Sequence, residues 1–276
     1  MSPITEVALV TGRELRKSFR STKGVLLAVL SIAAGAGFAM LFAWLDRVKR
    51  ENLPPGTDWR AAQQEFFSHW YVPETGRALA TCPYPLWMML IATLWVAPWL
   101  VALMAFDAVS GEMQHRTVCF WTIRVRRAPY MIGKCLGAWT AVLAVMLAMN
   151  VVVWAATAAV GQWPPADVVR WGARFFAVTL PISAAWCGIA TLVGSQFKTP
   201  FLSLLFISTT FFCLWFLRVS ADFAQANWLA YAYPNTFDGL LLSPSLADTP
   251  RGLLFTGLIA LATATAAALI FQRKDV

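Results

Sequence analysis

Residues 107–134 read DAVSGEMQHRTVCFWTIRVRRAPYMIGK, a stretch that carries Asp107, Glu112, Arg116, Arg124, Arg126, Arg127 and Lys134. On either side the chain is apolar, over 86–106 and over 135–160, for long enough to cross a hydrocarbon core of about 30 Å at about 1.5 Å per helical residue. A basic island between two such runs reads as a structured loop at a membrane face. Four more apolar windows follow the same rule, at 24–45, 172–194, 201–217 and 253–271, so the sequence predicts an all-α integral membrane protein with six spans. The composition agrees: 59% of the 276 residues are hydrophobic, 13% are charged, and mean hydropathy is +0.61. Arg174 and Arg218 lie near window ends, where a long basic side chain reaches the headgroups. Pro98 and Pro181 fall inside spans and Pro200 opens the fifth, each a point where a helix bends or starts.

An even number of spans puts both termini on one side, and Lys/Arg bias identifies it. The N-terminal segment, the 107–134 loop, the 195–200 turn and the C-terminal tail together hold thirteen Lys and Arg against Glu6, Glu14, Asp107, Glu112 and Asp275. The other side balances nine against nine, so the whole formal charge of +8 falls on one face, which the bias assigns to the cytosol. That bias accounts for the basic balance without nucleic acid.

The N-terminal segment 1–23 reads as a basic amphipathic helix lying in the inner interface. In this reading Ile4, Val7, Ala8, Leu15 and Phe19 share one side and Arg13, Arg16, Lys17 and Arg20 the other. Residues 46–84 form the longest external loop; within it Glu65 and His69 stand four apart, a spacing that on a helix can hold a metal but more commonly marks a solvated, aromatic-anchored helix. Residues 218–250 are too short for two crossings and read as short helices dipping into the outer leaflet, with Trp228, Tyr231 and Tyr233 at headgroup depth. The five cysteines show no CxxC or Cys/His spacing, so neither a metal nor a catalytic site is predicted. The first apolar run starts too late and runs too long for a cleaved leader.

Several chemistries are excluded by what the spans lack. Both histidines, His69 and His115, lie outside them, which argues against an intramembrane serine protease, and no paired intramembrane aspartates occur. No carboxylate or lysine lies in a span interior to couple an ion gradient, and no GxxxxGK[ST] phosphate loop is present. If substrate is driven across, the energy enters from another chain. A passive channel, or a membrane scaffold that recruits a cytosolic partner, is the alternative.

The run from Phe106 to Trp139 resembles the loop after the second span in ABC-2 type permeases of ABC transporters, which follows a pattern like D-x-x-x-x-E-x-x-x-G-T, then a short basic helix and G-K. The matching positions are Asp107, Glu112 and Thr117, then Arg124, Arg126 and Arg127, then Gly133 and Lys134, with Gly111 inside the pattern and Arg116 where the family often has glycine. GIATLVGSQFKTPFLSLLF (188–206) resembles the family's tight hairpin between spans four and five, and NWLAYAYPNTFDGLLL (227–242) its external re-entrant segment. The resemblance implies one permease domain over 1–276, with 1–23 as the elbow helix, 107–134 as the cytosolic coupling loop and 218–250 as the re-entrant segment. It implies no cofactor in this chain, ATP and Mg in a partner ATPase subunit, and a homodimer or paired permease in a bacterial cytoplasmic membrane, with spans two and five at the pair's interface. Cargo in the family ranges over lipids, polysaccharides, drugs, peptides and metalloenzyme maturation factors. Phe201, Phe206, Phe211, Phe212 and Trp215 of the fifth span are candidates for an amphipathic substrate pathway, although helix packing and lipid contact also explain such residues.

Overall fold

The computed structural model describes residues 2–52, 59–160 and 163–273; positions 53–58 of the external loop and the tail residues Lys274 and Asp275 lie outside the described residues. Every regular element described is helical. In chain order these are α1 (Pro3–Arg20), α2 (Thr22–Glu51), α3 (Trp59–Trp70), α4 (Pro73–Leu79), α5 (Tyr84–Ala105), α6 (Ser110–Gln114) and α7 (Val118–Arg124). They are followed by α8 (Arg127–Ala159), α9 (Pro165–Gly194), α10 (Pro200–Ala224), α11 (Asn227–Ala230), a 3₁₀ turn (Pro234–Phe237), α12 (Asp238–Leu242) and α13 (Asp248–Gln272).

Six helices, α2, α5, α8, α9, α10 and α13, are long and apolar enough to cross a membrane. The six windows predicted from sequence fall on them to within a residue, but several helices outrun the windows. α8 begins at Arg127, α9 at Pro165, and α10 continues to Ala224. Hydropathy trims a helix where charge appears, whereas the backbone keeps its i to i−4 bonds through Arg170, Arg174 and Arg218 until a proline or cap stops it. Pro165 and Pro200 sit in first turns, where no N–H is required, and Pro98 and Pro181 are inside α5 and α9.

The six helices alternate in direction. One end of the bundle, here proximal, gathers α1, α6, α7, the 195–199 turn and the end of α13; the distal end gathers α3, α4, α11 and α12. α5 and α9 are the most enclosed of the six, while α2, α10 and α13 keep most of their surface outward. The main core runs between α5, α8 and α9 through Leu90, Met146, Val153, Ile182 and Trp186. A second, proximal cluster joins Val10, Val109, Val118, Val125, Tyr130, Met131 and Phe271.

α1 is helical from an N-cap in which the Ser2 hydroxyl accepts from the Thr5 amide, and it packs along α8. The face it buries differs from the apolar stripe read from the sequence: Glu6, Val10 and Glu14 face the protein, while Ile4, Ala8 and Phe19 are exposed. The approach is close because Gly133 and Gly137 of α8 lie under it. A Cβ at Gly133 would come within 2.7 Å of Val10 Cβ, and one at Gly137 within 2.6 Å of Glu14 Cβ. Two acids on the packed face are tolerated only because α8 supplies partners for them.

The segment after α10 folds back into the bundle. The Trp186 indole N–H, fully buried in α9, donates to Asn235 Oδ1 at 2.9 Å, and Asn235 Nδ2 donates to the Leu94 carbonyl, halfway along α5, at 2.8 Å. Arg174 donates to the Leu242 carbonyl at 2.8 Å, which fixes the end of α12 against α9.

Candidate functional site

The stretch quoted at the outset folds as two short helices, with a third restarting behind them. α6 and α7 are separated by a turn in which Arg116 takes a positive φ of 55°. This left-handed conformation suits glycine, the residue that the resembling pattern carries at this position. Thr117 secures the turn, with its N–H and its hydroxyl both donating to the Glu112 carbonyl, at 3.0 and 3.2 Å. Ser110 opens α6, and its hydroxyl donates back to the Phe106 carbonyl at 2.5 Å, a local bond to the preceding turn. Arg126 and Arg127 likewise leave the loop helix. Arg126 is extended and caps α8, Arg127 is its first residue, and Pro129 follows in the first turn, where its missing N–H costs nothing.

Beneath this turn lies a charged cluster. Lys134 is 2% exposed, and its ammonium donates to Glu14 Oε2 at 2.5 Å and to Glu112 Oε1 at 2.7 Å. The Tyr130 hydroxyl donates to Glu112 Oε2 at 2.8 Å, and the Arg13 guanidinium stands 3.8 Å from Glu112 Oε1 while lying over the Trp121 ring. The two carboxylates thus face two cations and a phenol. Such a group survives burial only when each charge has its partner.

Further ties radiate from the same place. The Arg126 amide donates to Glu6 Oε2 at 3.2 Å, Lys23 of α2 donates to Asp107 at 2.6 Å, and Arg127 donates to the Gln272 carbonyl of α13 at 2.9 Å. Tyr130 stacks on Phe271, and Gly111 lies beside Pro200, the first residue of α10. The loop is therefore joined to α1, α2, α8, α10 and α13 at once, and through its own chain to α5.

The loop's outer face is different in character. Phe120 and Ile123 of α7 are 72% and 83% exposed, one helical turn apart, and the exposed side chains of Arg116, Arg124 and Arg126 flank them in sequence. Large apolar side chains held out beside cations at the end of a membrane-type bundle form the kind of patch that marks a protein contact.

Of the residues singled out from sequence, Glu112, Gly133 and Lys134 are buried in the cluster and its packing; Asp107, Gly111 and Thr117 shape the turn. Arg116, Arg124 and Arg126 face outward, and Arg127 binds α13. Sequence reasoning missed Glu14, Tyr130, Phe120 and Ile123. Glu6 and Glu14 were legible as acids two turns apart in an otherwise basic helix, a placement that asks for a buried cation.

The fifth-span aromatics divide. Phe211, Phe212 and Trp215 line a slot of about 220 Å³ with Trp95, Pro98 and Trp99 of α5, whereas Phe201 lies exposed at the start of α10 and Phe206 stacks on Phe197 at 4.4 Å. In α3 the His69 Nδ1 pairs with the Glu65 backbone carbonyl at 2.8 Å, and no group of three metal-ligating side chains occurs among the described residues.

The chain matches no family model and no curated protein in sequence comparison.

Proposed function

We propose that this chain is the membrane-spanning permease subunit of an ATP-driven exporter of the ABC-2 type. In this reading the proximal end faces the cytosol of a bacterium with both termini there, α1 is the interfacial elbow, α7 is the coupling helix, and the 218–250 segment is the external re-entrant element. ATP and Mg belong to a partner ATPase subunit, and two permease chains pair over two such subunits.

One observation carries the reading. An exposed apolar and basic face on α7 belongs to a loop tied, through a buried ion cluster and further contacts, to α1 and to four bundle helices besides the one it extends. A partner that pushed on α7 would act on a rigid junction rather than a slack loop, so its displacement would pass to the bundle. The left-handed Arg116 at the expected glycine position and the fold-back of Asn235 to Leu94 support the same assignment.

Co-purification tests it. The chain is expected to bring down a P-loop ATPase whose turnover changes on reconstitution with it, and charge reversal of Arg124 and Arg126 to glutamate is expected to weaken that association. Cargo movement by the purified chain alone, with no ATP-consuming companion, would refute the proposal in favour of a channel.

A further inference from the structure

At the distal end the 59–79 helices, α5, α10 and the 234–248 segment enclose an open cavity of about 700 Å³. Glu74, Asp238 and Asp248 line it, against a single guanidinium, Arg218, which pairs with Asp222 outside the cavity wall and also acts on Asp238. Tyr71 donates to Asp238, the Ser243 hydroxyl donates to Asp248 at 2.9 Å, and Arg251, also outside the wall, stands 3.8 Å from Asp248. On a chain of net charge +8 this is a local excess of negative charge, and it is bordered by the exposed faces of Trp70 and Trp95, which are 68% and 58% exposed. Carboxylates with indole faces are the chemistry that holds an organic ammonium.

Trp95 also walls the aromatic slot between α5 and α10, so cavity and slot share a side chain and adjoin. The slot is lined almost wholly by apolar surface, with Trp99 and Phe212 about half exposed along it. A soluble cation would leave the slot unfilled, and a purely apolar molecule would leave the cavity's excess negative charge without a counter-charge.

We infer that cavity and slot form one site for a cationic amphiphile, its ammonium head among Glu74, Asp238 and Asp248 and its hydrocarbon body between α5 and α10. The inference names the cargo class of the exporter proposed above and rests on that reading for calling the occupant cargo; binding itself does not depend on it.

The test uses the full chain in lipid nanodiscs and two photo-crosslinking probes with the same diazirine-bearing alkyl chain, one headed by trimethylammonium and the other by sulfonate. The trimethylammonium probe is expected to label the Trp95–Trp99 and Phe211–Trp215 peptides saturably, with a half-saturation about tenfold or more below that of the sulfonate probe. Asp238→Asn with Asp248→Asn is expected to remove most of that preference. Trp99→Ala, on an exposed wall and so without demand on folding, is expected to weaken both probes alike. Equal half-saturation for both heads, labelling spread evenly over all the outward helices, or a preference unchanged in the double variant would overturn the inference. Labelling as expected with no ATPase recruited would sink the exporter reading and leave the site standing; the converse would do the reverse.

Discussion

Replacing Lys134 by methionine removes the ammonium and keeps a chain of similar shape. Glu14 Oε2 and Glu112 Oε1, which Lys134 holds at 2.5 and 2.7 Å, would then face each other with Arg13, 3.8 Å from Glu112, and the more distant Lys17 as counter-charges. Removing one partner of a buried ion pair costs about 3–5 kcal/mol, because the remaining charge stays desolvated. For a chain of this size that lowers the midpoint of thermal unfolding on the order of 10 °C. Intrinsic tryptophan fluorescence in detergent, at one fixed scan rate, measures it. Glu14→Gln alone is expected to cost less, since Lys134 keeps Glu112 and Glu112 keeps Tyr130. The triple variant Lys134→Met, Glu14→Gln, Glu112→Gln is expected to recover much of the loss, since the one charge left without a partner, Arg13, is half exposed. A Lys134→Met midpoint within about 2 °C of the parent, or a triple variant worse than the single, would refute the idea that charge balance holds this junction together.

Arg116→Gly is expected to raise the thermal midpoint, since it removes a left-handed strain of about 1 kcal/mol from the turn at φ 55°; a lowered midpoint would show that the side chain does more than tolerate its backbone. Phe120→Asp or Ile123→Asp is expected to abolish association with the proposed ATPase partner and leave the midpoint unmoved, because these side chains are 72% and 83% exposed; pull-down and melting on the same preparations separate the two effects. Gly137→Leu is expected to pry α1 off α8, as even a Cβ there comes within 2.6 Å of Glu14 Cβ, and accelerated proteolysis before residue 22 would report it. Burial pushes the Asp238 carboxyl up to about 6 from its ordinary 3.8, against the lowering influence of the Gly239 N–H and of Arg218. Between those values the folded chain keeps a proton that the unfolded chain has lost, so stability is expected to fall as pH rises from about 4 to about 6 and then level, a slope that Asp238→Asn should flatten in a pH series of melts.

The six crossings were legible because each is a long uninterrupted run, and bilayer thickness sets its minimum length. Their ends were less so: the first turns of α8 and α9 carry Arg127 and Asp167, with Arg170 in the second turn of α9, and a hydropathy window stops at charge where the backbone does not. The face of α1 that packs on the protein was not legible for a related reason. Its periodicity offers an apolar stripe, yet the face that packs is Glu6, Val10 and Glu14, since Gly133, Gly137 and Lys134 lie 120 or more residues away and no local pattern reveals them. Of the loop, the motif residues were found, but their division into an inward ionic half and an outward apolar half depends on the positive φ at Arg116, which reverses the chain between α6 and α7. Nothing in the sequence separates Phe120 and Ile123 from ordinary helix filling; their exposure of 72% and 83% follows only from the placement of α7.

The bond from Lys134 to Glu14 spans 120 positions of chain, and this has a bearing on biogenesis. A ribosome delivers α1 and two crossings before the lysine that neutralises Glu14 has been made. Until then the first helix can only rest at the water boundary with its acids hydrated, and it takes its final seat when the third crossing arrives. α1 is thus made well before the helix that seats it, so a nascent chain halted before residue 134 would leave it undocked.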